Sequence, residues 1–85
     1  MNIPDQIEKI LVNEFNPGFL RVSNNSYQHA GHSGDDGSGN THFLIEISAN
    51  DIPEKFTHQK HKMVVDKLSD IFKLTHSIEI RLINS

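Results

Sequence analysis

The absence of cysteine limits most strongly what this 85-residue chain can fold into. Small domains often compensate for a small core with disulfides or a cysteine-bound zinc ion, and neither is available here. A domain of this size buries only about 60% of its unfolded surface, so it depends on one hydrophobic core between regular elements. The sequence therefore predicts a single domain over residues 1–85, with no thiol nucleophile.

The charge and motif content exclude several function classes. The net charge is −3 with neutral histidines, which argues against a dedicated binder of nucleic acid or anionic membranes. No apolar run is long enough to cross a membrane, and the N-terminus has no signal or transit peptide pattern. No P-loop, GxGxxG or nucleophile-elbow motif occurs, so we predict a protein that is not an enzyme. We expect a cytoplasmic protein, or the mature form of an organellar one, that is not secreted.

Apolar periodicity divides the chain into alternating helical and extended segments. The predicted segments are a helix at 3–15, a strand at 19–23, a long polar loop at about 24–40, a strand at 41–48, a turn or short helix at 49–56, a helix at 57–73 and a strand at 76–82. The first two strands form a hairpin, and a helical crossover favours parallel pairing of the second and third. The fold class is therefore α+β.

Six histidines are the residues best suited to chemistry. His29 and His32 are spaced as a metal-chelating pair in the loop, and His42 opens the second strand; imidazole suits zinc, copper, iron or nickel. On spacing alone a solvated glycine-rich loop explains these residues better than a ligand role. A zinc- or copper-binding protein that uses only this loop is one hypothesis. His76 directly precedes the last strand, where we expect a half-buried edge residue.

The start of the main helix is locally basic from Thr57 to Met63. Such a run can bind phosphate at a helix N-terminus, or it can simply be a solvated charged end. His58 fits a solvated helix end. His61 falls on the apolar side of the helix, and its spacing predicts a core histidine.

Four short motifs together resemble the BolA family over about residues 5–82. They are YQHAGH at 27–32, THF at 41–43, KHKMV at 60–64 and HSI at 76–78. The third stands where the family has Arg-His-Arg, and the family's Phe-x-Gly after the second strand is missing. The resemblance implies a class II KH-like αββααβ fold, a three-stranded mixed sheet with helices packed on one face.

The resemblance also implies a partner and a cofactor. BolA-like proteins bind monothiol glutaredoxins and share a bridging [2Fe–2S] cluster, to which the partner and glutathione contribute sulfur. In this sequence the implied histidine ligands are His29 and His76, with His32 and His42 as alternatives to His29. The implied partner surface comprises Lys60, His61, Lys62 and His76. We expect a monomer that forms a heterodimer with glutaredoxin and acts in iron–sulfur cluster trafficking or iron regulation.

A DNA-binding transcriptional regulator is the alternative function, suggested by the KH-like fold. KH domains grip nucleic acid with a GxxG loop, and no such loop lies between the helices here. A modest basic helix face with Lys60, Lys62, Lys67 and Lys73 is the feature that favours this alternative.

Overall fold

A three-stranded mixed sheet with three helices on one face forms the fold. The computed structural model describes residues 2–25 and 42–84. The elements are α1 (Ile3–Phe15), β1 (Leu20–Asn24), β2 (His42–Ser48), a 3-10 turn (Ala49–Asp51), α2 (Thr57–Lys67), α3 (Ser69–Phe72) and β3 (Ser77–Ile83). The predicted α+β class and the implied αββααβ order are confirmed. The predicted loop at 24–40 lies outside the described residues from position 26 onward.

Local signals fix both ends of α1. The Asn2 side chain accepts a hydrogen bond from the Asp5 N–H at 2.9 Å, and Pro4 occupies the first turn, where its missing N–H costs nothing. The helix ends at Asn16, which adopts a left-handed conformation with φ of 45°. Its buried residues, Ile7 and Leu11, share one face.

The sheet has the order β1-β2-β3, with β2 in the centre. β1 and β2 pair antiparallel, and β2 and β3 pair parallel, as predicted. Phe43, Ile45 and Ile47 of β2 are buried beneath the helices, whereas His42, Leu44 and Glu46 point to the opposite face. The core is completed by apolar side chains of all three helices and of β3, among them Ile7, Leu11, Val64, Leu68, Ile71 and Ile80.

The predicted single helix at 57–73 is wrong at Leu68, where α2 ends and α3 begins. Leu68 has φ −101° and ψ 14°, and its N–H is shared between the carbonyls of Val64 and Val65 at 3.2 and 3.1 Å. α3 then begins at Ser69, with Leu68 in the N-cap position and no side-chain capping hydrogen bond. Positions 64, 68 and 71 keep helical spacing across the break, so periodicity alone could not reveal it.

Asp51 connects the turn before β1 to the end of β2. Its Oδ2 accepts hydrogen bonds from the Gly18 N–H, at 2.7 Å, and from the hydroxyl of buried Ser48. The Gly18 N–H first, and the Ser48 hydroxyl second, hold the pKa of the Asp51 carboxyl below its usual value of 3.8. Both donors stabilise the charged form of the carboxylate. The region predicted as a turn or short helix at 49–56 therefore contains one anchored 3-10 turn.

Candidate functional site

His42 and His76 meet at the end of the sheet where β2 and β3 begin. His42 is the first residue of β2 and pairs across the parallel ladder with Ser77, the residue that follows His76. The two ring centroids lie 5.2 Å apart, with the ring planes tilted by 51°. Two histidines that are 34 positions apart in sequence are thus neighbours in space, as a consequence of the strand register.

This separation suits two imidazoles that bind one metal ion. A metal–nitrogen distance of about 2.1 Å and a tetrahedral angle place the centroids of two metal-bound rings about 5 Å apart. His76 is exposed and His42 is half-buried, so this end of the sheet is accessible from outside. The predicted half-buried state of His76 is wrong, because the β3 ladder begins one residue later, at Ser77.

The hollow beside this pair is small and is lined by His42 but not by His76. A hollow of about 180 Å³ beside the two strand starts is lined by Asn25, His42, Phe43, Leu44, Ser77 and Glu79. Its volume is below the roughly 300–1,000 Å³ of small-molecule pockets. In the described part of the chain, no group of three or more His, Asp or Glu side chains is placed to hold a metal ion. A metal at this pair would therefore take its other ligands from elsewhere.

The structure brings together His76 and one of its three predicted companions. His29 and His32 lie outside the described residues, so their assignment stays a prediction. His42, an alternative in the sequence, is the companion found beside His76. The sequence carried a signal for this contact, because both residues sit at the starts of strands predicted to run parallel.

The α2 residues of the predicted partner surface make contacts on different sides of the helix. Lys60 Nζ donates to the Ala49 carbonyl at 2.7 Å and so holds α2 against the 3-10 turn. Lys62 pairs with Asp66 at 3.1 Å on the exposed side of the helix. His61 is exposed and lines a groove. Ile80, a β3 residue four positions after His76, lines the same groove.

The prediction that His61 is a core histidine is wrong. It keeps helical spacing with Val64 and Leu68, both fully buried, but its own side chain is exposed. It is the fifth residue of α2, and this part of the helix borders an open groove beside edge strand β3 rather than the closed core. Helical spacing gives the direction of a side chain but not how far the core extends beneath it.

The basic helix face that favoured DNA binding is largely neutralised. Lys62 pairs with Asp66, Lys67 with Glu14 at 3.3 Å, and Lys73 with Asp70 at 3.6 Å. Lys60 is directed to a backbone carbonyl. Exposed ion pairs of this kind are weak, but their carboxylates also reduce the positive field that attracts phosphates.

The apolar groove between the start of α2 and β3 was not predicted from the sequence. Phe56, Ile80 and Leu82 are among its lining residues. A signal was present in Phe56, a large apolar residue directly before a polar helix start, where it is half exposed. Among the described helices, none is long and apolar enough to cross a membrane.

Known proteins match this chain in sequence and in structure. SufE-like protein 1, chloroplastic/mitochondrial, from Arabidopsis thaliana is 36% identical over 77 residues, 86% of this chain and 20% of that protein. The chain thus spans about a fifth of that relative's length. The solved BolA domain of SufE1 from A. thaliana is similar, with a TM-score of 0.81, 30% identity, and coverage of 99% of this chain and 93% of that one. BolA1 from A. thaliana has a TM-score of 0.79, 25% identity, and coverage of 96% and 90%.

A family model gives the assignment. The model described as BolA-like protein matches residues 11–85, which include α2, α3 and all three strands. The matched span carries the THF and HSI motifs whose histidines meet at the start of the sheet. Sequence motifs, topology and the family model agree, and the chain belongs to the BolA family.

Proposed function

We propose that this chain is a non-enzymatic adaptor that binds a monothiol glutaredoxin and shares a bridging [2Fe–2S] cluster with it. Its role would be in iron–sulfur cluster trafficking or iron regulation, in the cytoplasm or in an organelle. The proposal combines the family assignment with the chemistry of the His42–His76 end of the sheet.

The observation that carries the proposal is an accessible imidazole pair in a chain with no cysteine. Iron–sulfur clusters are held mainly by thiolates, although two histidines replace two cysteines on one iron in Rieske centres. This chain can supply imidazoles and no thiolate. A partner that brings sulfur ligands, such as a glutaredoxin with glutathione, has the complementary donor set.

The small volume of the hollow beside His42 supports a shared site over a resident one. A hollow of about 180 Å³ cannot enclose a cofactor, so a second protein is needed to exclude water from it. His76 is exposed, and it precedes a seven-residue strand that fixes its backbone. A ligand presented in this way is available for docking and is positioned before the partner arrives.

The chain's own contribution is to present neutral imidazole nitrogens. With histidines on one iron, a [2Fe–2S] cluster has a higher reduction potential than one held by four cysteines. A protonated imidazole cannot bind a metal, so acid competes with cluster sharing. His76 is the first proposed ligand. The second is His29 by motif position, and His42 is the competitor whose distance from His76 fits.

Mixing with a cluster-loaded glutaredoxin tests the proposal. The chain is added to a glutathione-bound monothiol glutaredoxin that carries a [2Fe–2S] cluster. Visible circular dichroism and size-exclusion chromatography then report a changed cluster environment and a heterodimer. We expect both signals with the unaltered chain. If neither a spectral change nor a complex appears, the proposal is wrong.

Single histidine substitutions assign the ligands. We expect His76→Ala to abolish the spectral change, and His58→Ala, at another exposed histidine, to leave it intact. Among His29→Ala, His32→Ala and His42→Ala, the variant that matches His76→Ala identifies the second ligand. Equal effects of His76→Ala and His58→Ala would contradict the assignment of His76.

A zinc titration without glutaredoxin separates the shared site from a metal site in this chain alone. The proposal predicts no tight stoichiometric binding, because the described residues hold no group of three or more ligands. Tight binding that is lost in a His29→Ala, His32→Ala variant but kept in His76→Ala would support a loop-only metal protein instead.

A further inference from the structure

β3 is an edge strand, and no other strand of the described chain pairs with its outer side. It runs for seven residues in unbroken register with β2, so no bulge interrupts it, and it contains neither proline nor lysine. Natural proteins often protect edge strands with bulges, proline or charged side chains, because unpaired N–H and C=O groups attract further strands. Of these devices β3 carries two charged residues, Glu79 and Arg81, which lie on the face away from the helices and pair with each other.

An apolar groove lies directly beside this edge. It has a volume of about 680 Å³ and lies between the start of α2 and β3. Its lining residues are Phe56, Thr57, His58, His61, Ile80 and Leu82. Phe56 is 51% exposed and forms one apolar surface with Ile80 and Leu82 in this groove. A strand added to β3 would direct every second side chain into this groove.

The side chains around the groove that carry a charge or can be protonated are basic. Among the described residues, those that line it include two titratable groups, His58 and His61, and no carboxylate. His58 stacks on Phe56 with ring centroids 5.9 Å apart, and Lys55 Nζ lies 5.4 Å from the same ring. The first turn of α2 contains no acidic residue, so its positive helix end is not neutralised there.

The charged side chains on β3 and on the rest of α2 do not reverse the positive character of the groove. On β3, Glu79 and Arg81 point to the opposite face of the sheet and pair with each other at 2.6 Å. On α2, Lys62 pairs with Asp66 on the other side of the helix from the groove. An acidic side chain is therefore the complement of the groove, and basic ones are disfavoured.

We propose that this groove and the β3 edge bind an extended segment of a partner protein by strand addition. The segment presents an acidic residue flanked by apolar residues at every second position. Its backbone pairs with β3, its apolar side chains contact Phe56, Ile80 and Leu82, and its carboxylate lies near His58 and His61. Ile80, the β3 residue of the groove nearest to His76, is three residues past Ser77, about 10 Å along the strand. The inference goes beyond the proposed function and needs no cluster.

A nuclear magnetic resonance titration tests the proposal with a designed probe. The probe is acetyl-Thr-Leu-Thr-Glu-Thr-Leu-Thr-amide, whose Leu, Glu and Leu side chains share one face when extended. Added to the isotope-labelled chain at pH 6, it is expected to shift amide signals of residues 56–61 and 78–83. The same peptide with Lys in place of Glu is expected to bind about fivefold more weakly, the size of one exposed ion pair. A fully N-methylated version should not bind, because it has no backbone donors.

Matched variants locate the contacts. Phe56→Ser is expected to weaken peptide binding at least about fivefold, since it removes exposed apolar area from the groove. Leu74→Ser, at a residue that is 59% exposed outside the groove, should not weaken it. Changing both His58 and His61 to alanine should remove the preference for Glu over Lys, whereas His76→Ala should retain it.

Several results would overturn the proposal. They are no shifts at millimolar peptide, shifts confined to other surfaces, equal binding of the N-methylated peptide, and equal binding of the Glu and Lys peptides. Shifts of β3 signals that depend on protein concentration without peptide would assign the edge to a second copy of this chain. An oligonucleotide that shifts the groove signals when the peptide does not would assign the groove to nucleic acid.

Discussion

Leu68→Ala tests whether the junction between α2 and α3 is held by core packing. The Leu68 side chain is fully buried and belongs to the core formed by the helices and the sheet. Substitutions of buried leucine by alanine cost about 2.7–5 kcal/mol, through lost burial and the cavity left behind. We expect a loss of about 3 kcal/mol. A chain of 85 residues has a total stability of about 4–13 kcal/mol at about 0.05–0.15 kcal/mol per residue.

Urea unfolding followed by far-ultraviolet circular dichroism measures this loss. The midpoint should fall while the slope m stays unchanged, because the surface exposed on unfolding is nearly the same. At about 4–8 °C per kcal/mol for a small domain, the Tm should fall by roughly 12–24 °C. Leu74→Ala, at a leucine that is 59% exposed, is the control and should change stability by less than about 1 kcal/mol. A loss below about 1 kcal/mol for Leu68→Ala would refute the packing argument.

Three further predictions concern single polar groups. The lowered pKa of Asp51, caused first by the Gly18 N–H, means that its stabilising contribution is present above about pH 3.8 and is lost as pH falls through the folded-state pKa. Asp51→Asn should therefore flatten the loss of stability between pH 4 and 2.5 in urea unfolding, and an unchanged slope would contradict this. Thr75 Oγ1 is buried without a hydrogen-bond partner in the described part of the chain, so Thr75→Val should raise stability by about 1 kcal/mol; a lower Tm would argue against it. Lys60→Met removes the hydrogen bond to the Ala49 carbonyl and should lower the free energy of unfolding by about 1 kcal/mol, and no change would show that the contact contributes nothing.

The sequence predicted the elements well where local signals and periodicity agree. The predicted helix at 3–15 matches α1, whose ends at Asn2 and Asn16 depend only on contacts with neighbouring residues. Strict alternation from Phe43 to Ile47 identified the buried face of β2. The crossover length was enough to predict parallel pairing of β2 and β3, since a tight turn cannot join parallel strands.

Two predictions were wrong because helical spacing was taken to show that a side chain is buried and that the helix continues without a break. His61 and Leu68 both follow the spacing of Val64, yet the first is exposed and the second ends the helix. Whether a residue on the apolar side is covered depends on what packs against it. That information lies in elements distant in sequence.

The sequence by itself determined the residue types available for chemistry: six histidines, no cysteine, and motifs that resemble the BolA family. It also placed His42 and His76 at the starts of two strands. Only the tertiary structure decided that these two rings lie 5.2 Å apart, because their contact depends on the register of β2 against β3. A shift of one residue would turn every side chain of a strand to the other face. That register is set by packing of the two strands' apolar residues beneath the helices, a cooperative property of the whole core.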